Sequence, residues 1–209
     1  MNLVGILLAA GKGERFDPSA RRLKLLESCP DSTQERAQPI AALAARALRA
    51  VTTEVIAVVR TEASANQEQL RAVLIEEGCT LLPCEAAKEG MGASIACAIR
   101  ASAHAQGWII ALADMPQVQQ ATIAAVRNAI VGGAASAAPF YRGQRGHPVG
   151  FGAACGAELA QLRGDTGARE VLRRHPPMRI DVDDPGVLCD IDEPADLAQA
   201  RARPGDGIS

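Results

Sequence analysis

The first ten residues restrict the fold of this chain more than any other stretch. Leu3-Val4-Gly5-Ile6-Leu7-Leu8-Ala9-Ala10 is apolar without a break and runs straight into Gly11-Lys12-Gly13. A strand with one wet face alternates apolar and polar residues, whereas an unbroken apolar run fits a strand covered on both faces. Similar runs occupy residues 55–59 and 108–113, with weaker ones at 80–82 and 136–140. Between them, residues 40–50, 66–77, 92–103 and 122–130 carry Ala, Leu and charged residues at helical spacing. Strand alternating with helix predicts an α/β chain, a three-layer, doubly wound, Rossmann-like fold on a mostly parallel sheet.

After Tyr141 the rhythm breaks. Residues 142–149 are turn-rich and insertion-like, and short helices are expected at 155–162 and 166–174. Strands follow at 178–182 and 186–189, then a last helix opening at Asp192-Glu193-Pro194 and fading by Arg203. No repeat or low-complexity linker interrupts the chain, so one domain over residues 1–203 and a flexible tail at 204–209 are expected. The 209 residues suffice for one sizeable core.

Lys+Arg 22 against Asp+Glu 24 gives a net charge of -2, which leaves no global basic field for nucleic acid or an anionic membrane. No apolar run reaches the ~20 residues of a membrane span. The 6 cysteines form no C-x-x-C pair and no signal segment precedes them, so they read as reduced, buried thiols of a cytoplasmic protein. The apolar fraction of 48% comes mostly from Ala, with 2% aromatic residues, which predicts layers packed closely on small side chains.

In an open α/β sheet, ligands bind beyond the carboxyl ends of the strands, so residues following each buried run are the first candidates. Ala9-Ala10-Gly11-Lys12-Gly13-Glu14-Arg15-Phe16 combines glycines that expose backbone N–H groups with two cations, the makings of a phosphate cradle. It is not a Walker A loop, and the dinucleotide fingerprint fails at Phe16. The plainer reading is a tight strand-to-loop turn. Asp114-Met115-Pro116 follows the most apolar strand, and its carboxylate is either a ligand for a hard divalent cation or a cap on the next turn. Asp190-Ile191-Asp192 places two carboxylates at period two, on one face if the segment is a strand, although Asp192 also stands where the last helix needs its N-cap. His147, in Gly146-His147-Pro148-Val149, either meets an anionic substrate or makes a local hydrogen bond.

These segments together resemble a known family. Leu8-Ala9-Ala10-Gly11-Lys12-Gly13-Glu14-Arg15-Phe16 with Lys24-Leu25-Leu26 is similar to the loop signature of nucleotidyltransferases. Gly90-Met91-Gly92-Ala93-Ser94, Leu112-Ala113-Asp114-Met115-Pro116, Gly146-His147-Pro148-Val149, Gly164-Asp165-Thr166-Gly167-Ala168-Arg169 and Asp190-Ile191-Asp192-Glu193-Pro194 resemble the molybdenum cofactor cytidylyltransferase group. The resemblance implies the nucleotide-diphospho-sugar transferase type of fold. It also implies transfer of CMP from CTP to the terminal phosphate of a molybdopterin-type cofactor, with release of pyrophosphate and with Mg²⁺ as cofactor. Arg15, Lys24 and Asp114 would be catalytic. Ala9, Ala10, Gly11, Lys12, Gly13, Arg15, Lys24 and Ser94 would bind the nucleotide, and His147, Asp165 and Thr166 the acceptor. Asp114, Asp190 and Asp192 would hold the metal, and a recipient molybdoenzyme would be a further partner. Ala10, where guanylyl relatives tend to carry Gly, implies CTP rather than GTP.

The chain departs from the family pattern at one place. Asp17-Pro18-Ser19-Ala20-Arg21-Arg22-Leu23 separates Arg15 from Lys24, and Asp17 stands where Gly is usual, so Arg21 or Arg22 competes with Lys24 for the role of loop cation. Transfer to another phosphorylated acceptor and a non-catalytic cofactor-binding maturation protein are the competing functions. A nicotinamide dehydrogenase is disfavoured by the incomplete glycine fingerprint.

Overall fold

The computed structural model describes residues 1–19, 21–30 and 37–202; the expected tail at 204–209 lies outside them. In chain order the first elements are β1 (Leu3–Leu8), a 3₁₀ turn at Lys24–Leu26, β2 (Ser28–Cys29), β3 (Gln38–Pro39), α1 (Ile40–Arg49), β4 (Glu54–Val59), α2 (Ala65–Glu76) and β5 (Thr80–Pro83). A 3₁₀ turn at Glu85–Glu89 leads into α3 (Met91–Ala101), β6 (Gly107–Leu112), α4 (Gln120–Val131), β7 (Ser136–Tyr141), β8 (Gln144–Arg145) and β9 (Val149–Gly152). The remainder is α5 (Gly156–Leu159), α6 (Arg169–Arg174), β10 (Met178–Asp181), a 3₁₀ turn at Pro185–Leu188 and α7 (Pro194–Ala202).

The main sheet has the order β10-β7-β9-β6-β1-β4-β5, with β8 paired to β7. β1 lies between β4 and β6 and is parallel to both. Its side chains alternate between two cores. Leu3 and Leu7, with Ile109 of β6, face the layer of α1, α2, α4 and α7. Val4 and Ile6, with Trp108 and Ile110, face α3, α5 and α6. This double burial is why the strand carries no polar residue. Gly5 is a point of close approach, because a Cβ there would sit 2.8 Å from Leu48 Cγ of α1. The expected fold class is the observed one: a mostly parallel sheet between two helical layers.

Several expectations are corrected in the second half. The turn-rich stretch ends in β9, an antiparallel strand wedged between β6 and β7. Residues 186–189 are not a strand: 186–188 belong to the 3₁₀ turn Pro185–Leu188, and Cys189 follows it. The cause is Asp184, only 2% exposed. Its Oδ1 accepts from Gly186 N at 3.0 Å, and its Oδ2 from Thr122 Oγ1 at 2.7 Å and Gln119 N at 2.9 Å. These bonds curl the backbone away from sheet geometry and tie it to the start of α4. Asp190 and Asp192 therefore do not share a strand face. The expected helix at 155–162 shortens to α5 behind a 3₁₀ turn at Ala153–Cys155, and that at 166–174 to α6. All 6 cysteines are free thiols. Among the described residues no helix is long and apolar enough to cross a membrane.

Candidate active site

β1 and β6 finish side by side, with Leu8 opposite Leu112. The chain leaving each strand therefore emerges at the same edge, which brings the Gly11–Gly13 loop next to Asp114. A cavity of about 350 Å³ opens between them. Leu8, Ala10, Ala87, Met91 and Leu112 supply apolar wall, and Lys12, Lys24, Lys88, Ser94, Asp114 and Asp165 supply polar groups.

Lys24 is the centre of the arrangement. It is 6% exposed, and its Nζ donates to Asp114 Oδ2 at 2.7 Å and to Asp192 Oδ1 at 2.9 Å. Burial works against the ammonium, but the carboxylates of Asp114 and Asp192 outweigh it and hold its pKa above the ordinary value. Asp192 Oδ2 meets Arg15 Nη2 at 2.6 Å. Burial would raise the pKa of Asp192, but Lys24, then Asp190 and Arg15, bring it below the usual carboxylate range. The neighbouring Asp190 moves the other way, raised by burial and then by its hydrogen bond with Asp192.

The local folding explains how residues so far apart in sequence meet. Asp114 O accepts from Ile191 N at 3.0 Å, which lays the 190–192 segment against the end of β6. The backbone N–H groups of Asp192 and Glu193 both donate to Asp196 Oδ2, at 2.9 and 2.7 Å. Asp196, in the first turn of α7, thus reaches back to the backbone before the helix, and the Asp192 carboxylate is taken up by the cluster. The long loop before Lys24 closes on itself: Asp17 Oδ1 accepts from Ser19 N at 2.9 Å and Asp17 Oδ2 from Arg22 N at 2.8 Å. The Ser19 hydroxyl and these backbone donors hold the Asp17 carboxyl at a pKa of about 2. Arg22 turns away to Glu27, at 2.9 Å, and over the Phe16 ring. Lys24 rather than Arg22 is the cation that reaches Asp114.

Other expected site residues are distributed unevenly. Ala10, Gly11, Lys12, Ser94 and Asp165 line the cavity, whereas Ala9 is buried behind it and its N donates to Val58 O at 3.0 Å. Ser94 Oγ donates to Gly90 O at 3.2 Å. Gly13 adopts φ 67°, and a Cβ there would come 3.8 Å from Lys24 Cγ, so the lysine stem passes beneath the loop. Thr166 is exposed, and Asp190 lines a separate cavity with Pro116 and Cys189. His147 lies outside the main cavity, in a small apolar niche with Ala111, Leu112 and Met115. Its Nδ1 is buried without a hydrogen-bond partner, and burial followed by the charge of Arg145 pushes its pKa down to about 4. Lys88 and Ala87 were not legible as site residues. Lys88 sits in a charged surface turn, paired with Glu85, and its position just before Gly90 was the only signal.

The donor set fits a divalent ion. Among the described residues no three His, Cys, Asp or Glu side chains converge on one point. Mg²⁺ needs no such cage, since it takes one or two carboxylates and fills its remaining positions with phosphate oxygens and water. Asp114 Oδ1 is buried with no hydrogen-bond partner, an acceptor left open beside the cavity.

The chain is similar to several known proteins. It is 29% identical over 210 residues to the Bacillus subtilis purine catabolism protein PucB, covering 95% of this chain and 96% of that one. The crystal structure of Rv0371c from Mycobacterium tuberculosis superposes with a TM-score of 0.77 at 23% identity, covering 97% and 98% of the two chains, and the same protein has been solved in complex with manganese. Molybdopterin-guanine dinucleotide biosynthesis protein A from Archaeoglobus fulgidus superposes with a TM-score of 0.64 at 16% identity, covering 95% and 96%. The fold is of the nucleotide-diphospho-sugar transferase type. Residues 5–178 match the profile of the MobA-like NTP transferase domain, and the chain belongs to that family as a nucleotidyltransferase.

Proposed function

We propose that this nucleotidyltransferase moves CMP from CTP to the terminal phosphate of a molybdopterin-type cofactor, with Mg²⁺ as its metal. The observation that carries the reading is the convergence of Asp114 and Asp192 on Lys24, with Lys24 and Asp114 lining a cavity shared with Gly11 and Lys12 of the loop. An oxygen of the acceptor phosphate attacks the α-phosphorus, the bond to the β-phosphate breaks, and pyrophosphate leaves. No covalent enzyme intermediate is needed, so positioning and charge neutralisation carry the catalysis.

The backbone N–H groups of the loop and Lys12 receive the triphosphate. Lys24 and Arg15 offset charge that accumulates on the departing pyrophosphate. Asp114 and Asp192 would hold Mg²⁺, with Asp190 in support, and the ion would neutralise and orient phosphate oxygens. Ser94 faces the ribose or base, and Asp165 and Thr166 the acceptor. Ala10 lines the cavity and supports CTP, the nucleotide that the resemblance to cytidylyl enzymes implies for an alanine at this position. The manganese complex and the molybdopterin-guanine protein are compatible with the metal and the acceptor.

The position of His147 outside the cavity favours a second reading, transfer to a different phosphorylated acceptor. Mass spectrometry of products separates the two. The protein is incubated with Mg²⁺, each nucleoside triphosphate and either molybdopterin or a panel of sugar and polyol phosphates. A cytidine dinucleotide of the pterin is the expected product; a CDP-linked sugar or polyol would replace the acceptor, and a guanine dinucleotide would replace the base.

A further inference from the structure

Two carboxylates provide four oxygens at the candidate metal site, and in the nucleotide-free protein cations of the chain itself hold three of them. Lys24 Nζ takes Asp114 Oδ2 and Asp192 Oδ1, and Arg15 takes Asp192 Oδ2. Only Asp114 Oδ1 is without a partner. The positive charges a metal would supply to these two carboxylates are thus already supplied, before any ligand arrives, by Lys24 and Arg15.

We propose that Lys24 is the resident cation of the metal site: its ammonium keeps a divalent ion out of the nucleotide-free protein, and the incoming triphosphate draws it away, so that the ion enters with the nucleotide and not before it. The inference rests on the proposed metal-assisted nucleotidyl transfer and adds an order of binding to it.

The geometry makes the two cations exclusive. A divalent ion the size of Mg²⁺ sits about 2.1 Å from its carboxylate oxygens. An ammonium at 2.7 and 2.9 Å from the same two oxygens occupies that space. An ion added beside it would also crowd two further positive charges against the buried ammonium of Lys24, which is costly away from water. A triphosphate removes both obstacles. It offers oxygens to the ammonium and brings negative charge to balance the ion. The lysine stem already runs beneath Gly13, and a Cβ placed on Gly11 would meet nothing within 4 Å, so there is room above the stem for the ammonium to swing toward the loop. Lys24 and Gly11 line the same cavity, so the ammonium and the loop that would receive the phosphates open onto one space.

Mn²⁺ binding followed by electron paramagnetic resonance tests this without turnover. In nucleotide-free protein, Lys24→Met should bind Mn²⁺ at least tenfold more tightly than wild type, and the gain should vanish in Lys24→Met combined with Asp114→Asn. Equal affinity of Lys24→Met and wild type, or a gain that survives loss of Asp114, overturns the proposal. If Lys24→Met does not fold, the wild-type protein decides alone. Nucleotide-free wild type should show no stoichiometric Mn²⁺ site at concentrations that saturate the complex with α,β-methylene-CTP, and a stoichiometric site there overturns the proposal. Failure of CMP transfer to the pterin would remove the functional reading and leave this metal-binding result standing.

Discussion

Asp184→Ala tests whether the 3₁₀ turn that carries the acidic segment is held by the bonds described. The carboxylate is 2% exposed and accepts from Gly186 N, Gln119 N and Thr122 Oγ1 at 3.0, 2.9 and 2.7 Å. A buried donor left without its partner costs about 1–3 kcal/mol, and bonds to a charged acceptor lie at the upper end of the scale. Water admitted into the space of the lost carboxylate answers part of that demand, so the expected loss of stability is about 3–5 kcal/mol. For a chain of this size each kcal/mol lowers Tm by roughly 2–4 °C, which gives a fall of about 10 °C. Thr122→Val removes one neutral donor and should cost about 1 kcal/mol. Urea unfolding of the two variants beside wild type measures both. A loss below about 1 kcal/mol for Asp184→Ala would mean that the turn is held by something else. The same variant should also lose transfer activity, since the turn runs directly into Asp190 and Asp192.

Gly90 adopts φ 131°, and a Cβ there would fall 2.0 Å from Asp165 Oδ1 and 2.6 Å from the Gly164 carbonyl carbon. Gly90→Ala should push the 163–165 loop off the cavity and weaken nucleotide binding about tenfold, with strain of about 1–3 kcal/mol, read by calorimetric titration; unchanged affinity contradicts the placement. The unfolded imidazole protonates near 6.5 whereas His147 in the fold resists to about 4, so between those values the unfolded state binds the extra proton. Stability should therefore be intact above pH 6.5 and fall as pH drops toward 4, by a few kcal/mol at most, and His147→Gln should flatten that slope in urea titrations at pH 4.5 and 7.5. Trp108 Nε1 donates to Ser102 Oγ at 2.9 Å inside the second core, so Ser102→Ala should cost about 1–3 kcal/mol by thermal unfolding.

What the sequence reveals depends on whether the side chains themselves record the burial. β1, β4 and β6 are read directly because each is a run of apolar residues covered on both faces. β9 is not, because two of its four residues are glycines. Gly150 has no side chain to signal burial, and the reason it is glycine, that a Cβ would lie 2.7 Å from Ile130 Cγ1 of α4, exists only in the folded chain. The apolar residues near 186–189 mislead for the opposite reason. Val187 is buried, but Asp184 has committed the backbone to a turn, and Val187 O accepts from His147 N at 3.0 Å instead of joining a ladder. At the site, the residue types were legible at the strand ends. Their pairing was not, because Lys24 meets partners 90 and 168 positions away through the loop closure at Asp17 and the bonds from the 192–193 backbone to Asp196.

The most direct test of the account is pyrophosphate release by the purified protein with CTP, Mg²⁺ and a molybdopterin-type cofactor, measured for wild type and for Asp114→Ala. The account predicts release by wild type that requires all three components and falls by at least a hundredfold in Asp114→Ala. Release by Asp114→Ala at the wild-type rate would contradict the site. No release by wild type with any nucleoside triphosphate, despite nucleotide binding, would contradict the transfer to this acceptor.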